Sequence, residues 1–305
     1  MTPEEQANAK KGVLLAISAY VMWGIAPIYF KTITYVPALE ILSHRVIWSF
    51  FFLAIIIHFS HQWRNVVTIF QSKSKLAYLA TTALLIGGNW LIFIWAINAN
   101  HMLDASLGYY INPLINVVFG MLFLGERLRR LQWFAVVLAT IGVAIQVMVF
   151  GSVPIVALAL ATSFAFYGLL RKKVSVNGQT GLFVETLILL PVACLYLFWF
   201  AQSATSSMPA NDWHLNVLLF SAGIVTTLPL LCFTGAATKL KLSTLGFFQY
   251  IGPSLMFLLA VLVYGEAFTT DKAITFIFIW SALVIFSLDG LTQRRRRAPV
   301  IATVK

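Results

Sequence analysis

Ten apolar runs of 18 residues or more divide almost the whole chain, near residues 13–33, 40–59, 76–98, 103–124, 131–149, 153–170, 180–200, 214–238, 243–265 and 272–291. A run of that length spans the roughly 30 Å of a bilayer core as a helix, the conformation that satisfies every backbone N–H and C=O where lipid offers no partner. The connections are too short to fold alone, so the expected fold class is an all-α polytopic membrane protein with ten transmembrane helices. With 60% of its 305 residues hydrophobic and 10% charged, the chain excludes an ordinary soluble domain. Its net charge of +11 sits in short clusters between the runs, which reads as a topology signal and not as a nucleic-acid surface. The bilayer is the expected partner, with no nucleic acid.

Assigning the connections alternately to two sides tests this count. One side collects Lys10, Lys11, Arg64, Lys73, Lys75, Arg127, Arg129, Arg130, Arg171, Lys172, Lys173, Lys239, Lys241, Arg294 to Arg297 and Lys305, and the other Lys272 alone, with Lys31 and Arg45 lying within or at the outer end of the first and second spans. By the positive-inside rule both termini are then cytoplasmic. Lys10 and Lys11 before an apolar stretch look like a signal peptide, but the stretch runs on through Trp23 and Tyr29 without a small-residue cleavage site and is expected to stay as the first helix.

An internal repeat is visible. At an offset of 140, Pro113 meets Pro253, Gly125 and Glu126 meet Gly265 and Glu266, Phe93 meets Phe233 and Ala96 meets Ala236; at 144, Trp23 and Gly24 meet Tyr167 and Gly168; at 145, Glu40 meets Glu185. Five helices per copy is an odd number, so the second copy enters from the opposite side, giving two inverted-topology five-helix repeats. The expected organisation is a cytoplasmic tail at 1–12, repeats at 13–149 and 153–291, and a basic cytoplasmic tail at 292–305.

With FLGER closing the fourth span and VYGEA the ninth, the chain resembles, over its whole length, the EamA branch of the drug/metabolite transporter superfamily. The opening YVMWGIAPIYFK at Tyr20 to Lys31, followed by EILSHRVIWS at Glu40 to Ser49, is similar to the RarD group of that branch. The resemblance implies a permease of the bacterial inner membrane, in a group linked by name to chloramphenicol sensitivity, and brings no agreed substrate or residue set.

Candidate site residues therefore come from helical stripes. In the fourth span Ala105, Tyr109, Asn112, Pro113, Asn116 and Gly120 share a face, and Leu245, Gln249, Gly252, Pro253, Met256 and Ala260 are their second-half equivalents. Such a face either borders a cavity or glues helices together. In the first span Ala16, Tyr20, Trp23, Gly24, Pro27 and Lys31 form a stripe whose Tyr20 and Trp23 could stack on a planar solute, and Lys31 is expected to snorkel outward. The second span puts Glu40, His44, Arg45 and Trp48 within about 140° of arc. Since a charge at mid-membrane costs about 2.5–3.5 kcal/mol, such groups face the interior. Arg45 could hold a substrate carboxylate while Glu40 or His44 exchanges protons; the alternative is a structural Glu40–Arg45 pair. Glu185, with no evident local partner, is a third proton-coupling candidate. Asn89 and Trp90 after Gly87 and Gly88, and Pro229 in the other half, suggest interrupted third and eighth spans. Glu126 and Glu266 are expected to mark caps or helix contacts, and Asp104 to favour a helix N-terminus.

Walker A, GxGxxG and HExxH sequences are absent, and Cys194 and Cys232 lie in apolar spans, so no catalytic residue, cofactor or metal is expected. The expected function is a secondary transporter, acting as a monomer by alternating access, exporting a small metabolite, amino-acid-like or amphipathic compound or a drug, with proton coupling as a rider. Arg45 and the aromatics together suit an amino acid or related zwitterion. An intramembrane enzyme acting on a lipid or lipid-linked substrate is the alternative, and a channel is disfavoured for want of charge rings or a filter loop.

Overall fold

The computed structural model describes residues 3–98, 102–151, 155–263 and 270–297. Those residues form twelve α-helices: α1 (Pro3–Lys31), α2 (Ala38–Phe59), α3 (Trp63–Phe70), α4 (Lys73–Asn98), α5 (Met102–Leu124), α6 (Arg130–Phe150), α7 (Ile155–Val174), α8 (Gly178–Leu195), α9 (Trp213–Ala237), α10 (Leu242–Gln249), α11 (Ile251–Leu262) and α12 (Thr270–Arg297). No strand occurs among the described residues. Eight stretches are long and apolar enough to cross a membrane, one of them spanning α10 and most of α11; the apolar parts of α5 and α12 described here, Gly108–Leu124 and Ala273–Asp289, are shorter.

Three local features depart from the sequence reading. The first helix begins at Pro3, inside the expected tail, and the connection after α2 contains the short α3. The third and eighth spans are uninterrupted: α4 runs through Gly87 and Gly88, and α9 through Pro229. The break falls instead in the ninth span, at Tyr250 between α10 and α11. Pro253 accounts for it, because it has no N–H to offer the carbonyl of Gln249 four residues back. The Tyr250 N–H bonds the Phe247 carbonyl at 3.3 Å, a tighter turn than the α-helix.

Helix ends are held by identifiable groups. The Asn177 side chain accepts from the Gln179 N–H at 2.9 Å and caps α8. Gly151, at φ 75°, ends α6 in the left-handed conformation. Lys172 donates from Nζ to the carbonyls of Ala237 and Leu240, placing a cation at the C-terminus of α9. The Glu126 carboxylate accepts from the Leu242 N–H at 2.6 Å, the Ser243 N–H at 3.0 Å and the Ser243 hydroxyl at 2.6 Å, so the residue after Gly125 caps α10 across the molecule. Gly125, at φ 62°, provides the reversal that aims it there. Glu266 lies outside the described residues.

α1 packs on α9 and α11, and α7 on α4 and α5; α2 lies along α8 and α9, α4 also meets α8, α5 meets α10, and α6 pairs with α12. The main core gathers around Tyr20, Tyr167 and Phe233, and a second core fills the space between α5, α6, α10 and α12. Large apolar side chains such as Leu14, Phe51, Leu84, Leu122, Met148 and Val284 point outward, the inverse of a soluble protein and what a hydrocarbon solvent requires. Arg129 pairs with Asp289, joining the start of α6 to the C-terminal half of α12.

α2 and α9 touch backbone to backbone at Gly223. A Cβ there would lie 2.5 Å from the Trp48 carbonyl carbon and 2.7 Å from the Ser49 nitrogen. Gly223→Ala is expected to prise the two helices apart at about 1–3 kcal/mol, the usual cost of overpacking. The check is thermal unfolding in detergent followed by size-exclusion chromatography, and an unchanged midpoint would refute the close approach.

Candidate functional site

The helices enclose a central cavity with an empty volume of about 910 Å³, counting space open at its mouth. α1 contributes Tyr20, Trp23, Pro27 and Phe30; α2 gives Arg45; α4 gives Asn89, Trp90 and Phe93; α5 gives Tyr109 and Asn112; α7 gives Phe164; and α10 and α11 give Gln249 and Met256.

Arg45 dominates its electrostatics. The side chain is 7% exposed and makes no ion pair among the described residues. Its Nε donates to the Thr226 hydroxyl at 2.8 Å, and Thr226 donates onward to the Ala222 carbonyl at 2.7 Å, which fixes the guanidinium. Trp90 and Phe30 lie 4.5 Å and 5.5 Å from the guanidinium carbon, so aromatic faces carry part of the burial. The terminal nitrogens are left to the cavity. This arrangement can receive an anionic group by a charge-assisted, two-pronged contact.

Amides set the walls. Asn89 donates to the Leu160 carbonyl and the Ser163 hydroxyl, both at 2.9 Å, tying α4 to α7. Asn112 donates to the Ala161 carbonyl. Asn116 donates to Asn112 at 2.9 Å and to Gln249 at 3.2 Å, so these three form a ladder between α5 and α10. Cavity lining and helix packing, read as alternatives from the stripe, are here combined in the same residues. Below, aromatic rings close the cavity: Trp23 lies 5.7 Å from Tyr20, 5.7 Å from Phe164 and 5.8 Å from Phe233, and Tyr167 stacks on Phe233 at 6.0 Å. The Tyr20 hydroxyl is buried without a hydrogen-bond partner.

Of the residues singled out in sequence, Tyr20, Trp23, Arg45, Asn89, Trp90, Tyr109, Asn112 and Gln249 line this cavity, and His44 does not. His44 accepts at Nδ1 from the Trp48 indole at 3.3 Å, while its Nε2 is buried and unpartnered. Glu40 accepts from the Thr205 hydroxyl at 2.7 Å, so the alternative Glu40–Arg45 pair does not form. Glu185 is also corrected. Far from lacking partners, it accepts from Thr82 at 2.5 Å, Tyr167 at 3.4 Å and Arg171 at 3.5 Å. Arg171, counted among the loop cations in the topology argument, is 1% exposed inside the bundle. Glu185 borders a smaller hollow with Thr227 and Leu230, and Trp90 forms the wall between this hollow and the central cavity. Asp104 and Ala105 fall where side chains are not described.

Phe30, Phe93, Phe164 and Thr226 were not singled out. Phe30 stands seven residues after Trp23 and carries the first stripe to its end in place of Lys31, which is exposed. Phe164 stands at the 144-residue offset from Tyr20, so the repeat contained it. Thr226 had no signal, being a lone hydroxyl in an apolar helix.

An apolar-surfaced helical bundle with an uncompensated arginine on the wall of a central cavity fits a polytopic membrane transporter. Residues 10–148 match the EamA-like transporter family. The chain is 74% identical to an uncharacterized transporter of Vibrio cholerae, over 95% of this chain and 96% of that protein, and 62% identical to the protein RarD of Escherichia coli K12, over 95% and 98%. A crystal structure at 17% identity superposes with a TM-score of 0.72 over 95% of this chain and 99% of its own, a likeness of fold. The chain belongs to the EamA-like transporter family, in its RarD group.

Proposed function

We propose that the protein is a secondary transporter of the bacterial inner membrane that exports a small metabolite or amphipathic compound, drugs included, by alternating access. The observation that carries this reading is the central cavity, bordered by helices from both halves of the chain and containing the uncompensated Arg45. In it Tyr20, Trp23, Asn89, Trp90, Tyr109, Asn112 and Gln249 contact the solute, with Arg45 at its anionic end. Because every wall comes from one chain, a monomer suffices.

The halves 13–149 and 153–291 act as inverted repeats of five spans each, with both termini, including the segments 1–12 and 292–305, in the cytoplasm. Exchange of neighbours supports this: α1 meets α9 and α11 as α7 meets α4 and α5. On that orientation the lining of α1, α2 and α7 lies in the outer half of the membrane, and the aromatic floor must part to expose the site inward. Proton coupling through Glu185, Glu40 or His44 is part of the proposal. It predicts transport driven by an imposed pH gradient, and indifference to that gradient would remove it.

The test is metabolite profiling inside and outside cells that lack the protein, overproduce it, or overproduce Arg45→Ala at equal membrane abundance. One compound class is expected to accumulate outside with the intact protein alone. A changed lipid species with no solute moved would overturn the transporter reading in favour of a membrane enzyme.

A further inference from the structure

The charge of the cavity lining narrows the solute. Among the described residues that border the central cavity there is one cation, Arg45, and no carboxylate. Glu40, five residues before Arg45 on the same helix, turns to Thr205 in the α8–α9 connection, and Glu185 lies beyond Trp90 with Arg171. An ammonium group brought into this space would lose its water without meeting a counter-charge, which is among the most expensive things a buried site can do. Two of the aromatic faces in the lining, Trp90 and Phe30, are already turned to the guanidinium, and the remaining rings offer no formal counter-charge. Pro27 and Pro253 each withhold an N–H from a helix carbonyl, yet carbonyls supply hydrogen bonds and not a full opposing charge beside Arg45. A carboxylate, by contrast, would be neutralised by the fixed guanidinium, and its apolar or aromatic body would lie against Trp23, Phe93, Phe164 and Met256.

We propose that the central cavity takes an amphipathic monoanion, an aromatic or aliphatic carboxylate without an amino group, and discriminates against zwitterions and amines. This rests on the transporter reading and revises the amino-acid expectation of the sequence. Tyr109 and the amide nitrogen of Gln249, whose oxygen accepts from Asn116, are among the neutral groups of the lining that can meet a polar substituent on that body.

Three probes of one size separate the classes: 3-phenylpropionate, phenylalanine and 2-phenylethylamine, titrated calorimetrically into the detergent-purified full chain. The anion is expected to bind at least about tenfold tighter than either other probe, the equivalent of about 1.4 kcal/mol for one stranded charge. Arg45→Gln should erase the preference. Asp104→Asn, the acidic position four residues before Gly108, should leave the order unchanged. The wild-type series carries the test even where a variant fails to fold. Phenylalanine or the amine binding as well as the anion, binding of none of the three, or a preference that depends on Asp104 would each overturn the proposal. Proteoliposomes loaded with the winning probe keep the two readings apart. If phenylalanine binds best and is carried, transport stands and the anion class falls; if the anion binds in the expected order and is never carried, the transporter reading falls.

Discussion

Arg171→Leu and Glu185→Leu should each destabilise the protein severely, and the double substitution should restore most of the loss. The two side chains are 1% and 2% exposed and their nitrogen and oxygen lie 3.5 Å apart. Removing one partner leaves the other charge buried with no counter-ion, at about 3–5 kcal/mol, whereas replacing both by leucine removes the charges together and is near neutral. The position of Gly181 reinforces this: a Cβ there would lie 1.9 Å from the Arg171 Nη1, so the guanidinium occupies the space that a side chain at 181 would take. The measurement is the unfolding midpoint in detergent for all four proteins. A double variant no better than either single one would mean that Thr82 and Tyr167, not the charge pair, hold this part of the bundle. The same double variant separates stability from coupling, since a well-folded protein whose transport still follows an imposed pH gradient would take Glu185 out of the proton path.

Glu126→Ala carries the second large expected effect. Three donors at the start of α10 would lose their acceptor at once, two of them backbone N–H groups with no helical alternative. Charge-assisted hydrogen bonds of this kind are worth about 1.5–3 kcal/mol each when their loss strands a buried group, so about 3 kcal/mol is expected after relaxation. Glu126→Gln should fall between, because the amide oxygen can take the place of Oε2 and keep both Ser243 contacts while its NH₂ then faces the Leu242 N–H. Thermal unfolding and membrane yield read the series. A wild-type midpoint for the alanine variant would show that water replaces the carboxylate without loss.

Periodicity was sufficient for the helical class, and the stripes were sufficient for most of the cavity wall. Tyr20 and Trp23, or Tyr109 and Asn112, are placed on one face by the 3.6-residue turn alone. What could not be read was the choice of partner. The pairing of Arg45 with Thr226 joins residues 181 apart, and that of Glu185 with Arg171 sets a residue that looked like a cytoplasmic anchor inside the core. Both depend on how helices rotate against each other. The break at Tyr250 was missed for a related reason: glycines such as Gly87 and prolines such as Pro229 and Pro253 are all able to interrupt a helix, and only packing decides that Pro253 does while the others do not. Glu126 was legible as a helix contact because it follows Gly125, but not that its contact is α10.

The rings beneath the cavity have a meaning for the host cell as well as for the solute. Tyr167 and Phe233 are essentially buried, and the hollow stops where their neighbours Tyr20, Trp23 and Phe164 begin. Rings with centroids 5.1–6.3 Å apart admit no column of water between them. Apolar packing of this kind stands as a barrier to ions along that path, so the rings that hold one end of the cavity also guard the ion gradient on which the membrane's other machines run.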